Sequence, residues 1–205
     1  MKNIFISSKI SNSLSGNVFS VEQNWYNFFV KMNINLIPIN SNNFSEKMVK
    51  NFKPIGIIIP GGNDLYKNKK IKINLSRDKF EYRIIRFCLK NKIPLLGVCK
   101  GFQVIANFFN GKIEKCSNHI GIMHNLIIDR NSRFVNSKRL KVNSFHNYGV
   151  RILPKIFNII SRSDDQLVEI AEHRIEKILC LMFHPERYCR SQKKINLIIK
   201  SFFNI

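Results

Sequence analysis

The sequence predicts an α/β fold in which a parallel sheet is covered by helices on both faces. Three observations point there. Short apolar runs alternate with amphipathic stretches in βαβα order. One run, "PIGIIIP" at 54–60, is apolar almost throughout, as a buried strand is. The chain of 205 residues, without repeat or linker, suits one domain, 1–205, with a full core.

The elements follow in order. "KNIFIS" at 2–7 reads as a strand, "VEQNWYNFFVKM" from Val21 as an amphipathic helix, and "INLIPI" from Ile34 as a second strand. After "PIGIIIP" comes a helix, "RDKFEYRIIRFCLKN" from Arg77, and then the apolar run "KIPLLGV", Lys92 to Val98. "GFQVIANFFNG" has the spacing and terminal glycine of a short helix. From Lys112 to Ile170 the pattern is less regular, with β-like runs such as "LKVNSF", and predicts a small antiparallel excursion. "KILCLMF" at 177–183 returns to the sheet, and "KKINLIIKSFF" closes with a helix.

Composition narrows the function. A net charge of +21 raises nucleic-acid binding. The basic residues, however, are scattered along the chain and accompany heavy use of Asn, Ile and Phe. These residues and Lys share AT-rich codons, so genome bias accounts for the charge and no nucleic-acid partner is expected. No run approaches a membrane span, and the first apolar stretch, Ile4 to Ile6, is too short for a signal peptide. The expectation is a cytoplasmic protein with no membrane partner. Five cysteines, at 88, 99, 116, 180 and 189, have no paired metal-type spacing. Neither a disulfide framework nor a metal or cofactor is expected.

Three stretches carry chemistry. "GVCKGFQ", Gly97 to Gln103, places Cys99 on a strand-to-helix turn, where flanking glycines permit a sharp bend and a helix N-terminus favours the thiolate. "GGNDLY", Gly61 to Tyr66, follows a strand end, the usual ligand edge of a parallel sheet. "MFHPERY" supplies His184 and Glu186, which Pro185 should keep extended and on one side. Together they suit acyl transfer through a thioester. Cys99 attacks, His184 moves the proton and Glu186 orients the ring. The backbone N–H groups of Lys100 and Gly62 are the candidate oxyanion donors. Gln103, one helical turn past Cys99, can contact the acyl part of a substrate.

The motifs "PGGND", "RDKFE", "PLLGVCKGFQVIANFFNG", "VNSFHN" and "FHPER", in that order over residues 60–187, resemble the class I glutamine amidotransferase-like hydrolases, γ-glutamyl-γ-aminobutyrate hydrolase group. The resemblance implies a three-layer flavodoxin-like fold. It puts the family's nucleophile on Cys99, its histidine on His184 and its glutamate on Glu186, and brings Asn143, Ser144 and His146 near the glutamyl group. Lys100 stands where these hydrolases often have arginine, and Met182 where they have glutamine. His119 and His124 read as structural or solvated. "HNYGV" and "MFHPER" look more like the γ-glutamyl-CDP-amidate hydrolases of capsule phosphoramidate synthesis.

The expected activity is therefore hydrolysis of a small γ-glutamyl amide. The alternative keeps the chemistry in a glutaminase subunit that delivers ammonia to a partner synthetase. A non-enzymatic binding protein is disfavoured by the intact Cys, His and Glu set.

Overall fold

The computed structural model describes residues 1–128 and 131–205. Its first half runs β1 (Lys2–Ser7), β2 (Lys9–Ser13), β3 (Gly16–Ser20), α1 (Gln23–Val30), β4 (Ile34–Ile39), α2 (Glu46–Phe52), β5 (Ile57–Ile59), α3 (Lys72–Asn91), β6 (Leu95–Val98) and α4 (Lys100–Phe108). The second half runs β7 (Lys112–Lys115), β8 (Ile120–Ile127), β9 (Arg139–Phe145), β10 (Tyr148–Ile152), β11 (Phe157–Arg162), β12 (Val168–His173), β13 (Ile178–Leu181) and α5 (Gln192–Phe203).

The main sheet has the order β4-β1-β5-β6-β13-β12-β10-β7, with β11 also paired to β12. From β4 to β13 the strands are parallel; β12, β10, β7 and β11 extend the sheet through antiparallel pairings. This is the expected α/β sheet, and the antiparallel excursion is larger than the sequence suggests. It also includes a separate hairpin of β8 and β9.

Side chains alternate along each parallel strand, which splits the core into two layers. Ile4, Ile6, Ile58, Leu96, Val98, Leu179 and Leu181 meet Trp25 and Phe29 of α1 and Ile195, Ile199 and Phe202 of α5. Phe5, Ile57, Ile59, Leu95, Ile178 and Cys180 meet Phe80 and Ile84 of α3 and Phe102 and Ile105 of α4. Helices on both faces are thus a consequence of strands apolar on both faces.

Three differences from the sequence reading have local causes. The β2–β3 hairpin gives no clear sequence signal because its residues are mostly exposed and lack apolar alternation. Helix α2 has no fully buried residue and is held by a Ser45 cap, whose Oγ accepts from the Met48 N–H at 3.2 Å. Helix α3 begins at Lys72 rather than Arg77; its N-cap is Ile71, which offers no capping side chain to mark the start.

Candidate active site

Strand β6 ends at Val98, and Cys99 sits between it and the first residue of α4 with φ 51° and ψ −107°. A positive φ is strained for a residue with a Cβ, and the surroundings hold it in place. The Cys99 N–H donates to Leu181 O at 2.8 Å, and Cys99 O accepts the first helical bond from the Gln103 N–H at 3.1 Å. Gly101 permits the bend, since a Cβ there would lie 1.8 Å from Ile59 O. The elbow therefore projects the thiol at the carboxyl edge of the sheet.

The neighbouring strand end, Pro60 to Asn63, is gripped by Arg77 from α3. Its guanidinium donates to Pro60 O at 3.0 Å, Gly61 O at 3.1 Å and Asn63 Oδ1 at 3.0 Å, and also to Gly62 O. A trans peptide places its N–H opposite its C=O. Because Gly61 O faces Arg77, the Gly62 N–H points away from the guanidinium. Gly61 itself lies against both candidate side chains; a Cβ there would be 2.8 Å from His184 Cε1 and 3.4 Å from Cys99 Cβ. Asn63 also pairs with the Ile10 backbone through Oδ1 at 3.2 Å and Nδ2 at 2.9 Å, which ties the β2–β3 hairpin to the site.

Arg77 belongs to a buried four-charge cluster with Asp78, Glu81 and Lys100. Its Nε meets Glu81 Oε1 at 2.8 Å; Lys100 Nζ meets Asp78 Oδ1 at 2.7 Å and also Glu81 Oε2. Ser7 Oγ donates to Glu81 at 3.1 Å, and the Tyr66 N–H donates to Asp78 Oδ2 at 2.8 Å. Burial alone would push the Glu81 carboxyl up, but the Arg77 and Lys100 charges outweigh it and hold it below the usual range. The Lys100 side chain is thus directed into the scaffold, leaving its backbone N–H beside Cys99. In the sequence "RDKFE" stands out only by resemblance, and this role is not apparent from it; the i, i+4 spacing of Arg77 and Glu81 is the available signal.

His184 is buried, and its Nδ1 lies 2.7 Å from Glu186 Oε1. The segment is a turn closed by the Arg187 N–H to His184 O at 3.2 Å, not the extended stretch expected around Pro185. The turn brings the two side chains together all the same. Burial pulls the imidazole pKa down, yet the Glu186 charge and the neighbouring Cys99 side chain, with their hydrogen bonds, raise it to about 10. The ring thus engages Glu186 through Nδ1, with Cys99 as its other neighbour. Arg187 reaches Glu22 at 3.0 Å and covers the Phe145 ring at 4.9 Å.

The remaining sequence candidates lie beneath this set. Asn143 spends its amide on the 184–189 segment: Oδ1 accepts from the His184 N–H at 2.8 Å, while Nδ2 donates to His184 O at 2.8 Å and Tyr188 O at 3.1 Å. Ser144 Oγ donates to His119 O at 2.7 Å. Gln103 Nε2 donates to Tyr148 O at 2.7 Å. His146 is buried between Cys116 and Glu169, its Nδ1 3.5 Å from Cys116 Sγ. Met182 is fully buried. Among the described residues no helix is long and apolar enough to cross a membrane.

A doubly covered α/β sheet with a cysteine elbow beside a His–Glu pair defines a class of protein. The model for "Glutamine amidotransferase class-I" matches residues 14–204, and the chain belongs to that family. It is 32% identical over 160 residues to the gamma-glutamyl-CDP-amidate hydrolase of Campylobacter jejuni, covering 70% of this chain and 76% of that protein. It is also 32% identical over 141 residues to a glutamine-hydrolyzing GMP synthase subunit of Thermococcus kodakarensis, covering 67% and 69% respectively. In fold it matches the crystal structure of a "putative gmp synthase subunit a protein" from Thermoplasma acidophilum with a TM-score of 0.75, at 17% identity, over 100% of this chain and 93% of the other.

Proposed function

We propose that residues 1–205 form one hydrolase domain that cleaves a γ-glutamyl amide through a thioester on Cys99. The observation that carries this reading is the strained Cys99 elbow facing His184, with Glu186 2.7 Å from the far side of the ring. The thiolate attacks the γ-carbonyl carbon. The N–H groups of Gly62 and Lys100 receive the tetrahedral oxyanion. As the C–N bond breaks, His184 gives its proton to the departing nitrogen, and then takes one from the water that cleaves the thioester to release glutamate. Glu186 and Asn143 position His184 from two sides. Gln103, Ser144 and His146 shape the glutamyl side of the pocket.

The relative named for hydrolysis of a γ-glutamyl-CDP-amidate supports a nucleotide-linked amidate as substrate; a cytoplasmic location is part of the same proposal. The second reading, a glutaminase subunit feeding a synthetase, is favoured by the relatives named as GMP synthase subunits. Glutamate release from a panel of γ-glutamyl-CDP-amidate, γ-glutamyl-γ-aminobutyrate and glutamine decides between them. The hydrolase reading expects fast turnover of the amidate by the chain alone. Fast glutamine hydrolysis only with an added synthetase would replace it.

A further inference from the structure

Four side chains outside the Cys–His–Glu set converge from separate stretches of the chain. His119 precedes β8, His124 lies on β8, His146 lies between β9 and β10, and Glu169 is on β12. One ligand-type atom from each lies within 4.8 Å of every other. Their outer contacts orient them. His119 Nε2 is 3.0 Å from Asp165 Oδ2, which leaves Nδ1 facing His124 Nε2 at 2.9 Å. His146 Nδ1 is engaged by Cys116, which leaves Nε2 3.7 Å from Glu169 Oε1.

Hydrogen bonding alone does not satisfy this arrangement. His146 Nε2 and both Glu169 carboxylate oxygens are buried without a hydrogen-bond partner. Unpartnered buried polar atoms cost stability, and a carboxylate without a donor costs most. A cation reached by three imidazole nitrogens and one carboxylate oxygen would partner His146 Nε2 and one Glu169 oxygen and neutralise the carboxylate. Zinc–ligand bonds of about 2.0–2.2 Å set ligand atoms about 3.4 Å apart in a tetrahedron. The two measured pairs, 2.9 and 3.7 Å, bracket that spacing.

We propose that His119 Nδ1, His124 Nε2, His146 Nε2 and Glu169 bind a divalent transition-metal ion of the zinc class. The nitrogen-rich donor set disfavours magnesium and calcium, which take oxygen ligands. Asp165 accepts the outer N–H of His119, the usual support for a metal-bound imidazole. Four protein ligands close the tetrahedron, so the ion is structural. It joins the β8–β9 hairpin to β12, and Glu169 O in turn accepts from the Met182 N–H at 2.8 Å, two residues before His184. The absence of metal expected from cysteine spacing has no bearing on histidines spread this far apart.

The test loads the chelator-treated full chain with Co²⁺ and Zn²⁺. The proposal expects about one ion per chain, the visible absorption of tetrahedral Co²⁺ without a thiolate charge-transfer band, and a higher Tm with Zn²⁺. Glu169→Gln should lose the Co²⁺ spectrum. So should His124→Ala, whose half-buried ring makes it the gentler change, with circular dichroism verifying its fold. Asp165→Asn should weaken binding by about 10–100-fold. Wild-type uptake no greater than that of His124→Ala would overturn the proposal and leave a His146–Glu169 ion pair. A thiolate charge-transfer band would overturn it by placing the ion on sulfur.

Discussion

Two buried polar clusters flank the candidate reaction centre, and they differ in how they are satisfied. Arg77, Asp78, Glu81 and Lys100 balance two cations against two carboxylates, and Lys100 adjoins Cys99 in the chain. His119, His124, His146 and Glu169 leave buried nitrogen and oxygen atoms unpartnered, and Glu169 connects through Met182 to the His184 turn. A buried cluster whose carboxylates are ion-paired at 2.7–2.8 Å can act as scaffold; one whose carboxylate comes no nearer than 3.7 Å to an imidazole calls for something further. The first explains how peptide groups at 60–63 are aimed. The second is what the proposed metal completes.

The largest expected effect lies between the clusters. Cys99→Ala should abolish turnover and leave the fold intact, whereas Cys88→Ala and Cys180→Ala should retain activity. Cys88 and Cys180 are buried in the core, where burial pushes their thiols far up. Glutamate release by the three variants makes the check, and an active Cys99→Ala would remove the reaction centre from the comparison.

Next comes Glu186→Gln, which should slow kcat by about one to four orders of magnitude with KM little changed, since the ring loses its orienting partner. A raised KM with normal kcat would make Glu186 a substrate contact instead.

The comparison itself is sharpened by one truncation in each cluster. Arg77→Met leaves Glu81 buried beside a single cation and should cost about 3–5 kcal/mol in urea unfolding. Glu169→Gln in the chelator-treated protein should cost about 1 kcal/mol or less, because no hydrogen bond to its oxygens is lost. Equal losses would erase the distinction.

The smallest effect is a pH dependence. The folded pKa of His184 is raised from 6.5 to about 10, so its charge contributes stability fully below pH 6.5, and that contribution disappears as pH rises through about 10. Urea midpoints between these limits should fall in wild type and fall less in Glu186→Gln. Parallel curves would contradict the assigned cause.

The two flanks are unequally readable from sequence. The elbow is written within five residues, Gly97 to Gly101, because close backbone approach there requires glycine. His184 and Glu186 are likewise near neighbours, although their geometry comes from a turn rather than from the extended stretch that Pro185 suggests. Asn143 is different. Its residue type is visible, but its hold on His184 spans 41 residues and depends on the register of β9. The histidine cluster depends on β8, β12 and the β9–β10 turn meeting in space, and no local spacing encodes that meeting. The antiparallel half is least legible because its strands are irregular, with register shifts in β10, β11 and β8 pairings.

Covalent chemistry at Cys99 is open to direct test by trapping its intermediate. Glu186→Gln is mixed with a γ-glutamyl amide, quenched in acid within the first turnover, and examined by intact-protein and peptide mass spectrometry. The expected result is an added γ-glutamyl group on the peptide that contains Cys99, rising before glutamate accumulates and absent from Cys99→Ala. Glutamate release with no adduct in either protein, or an adduct on Cys116 or Cys189, would contradict it.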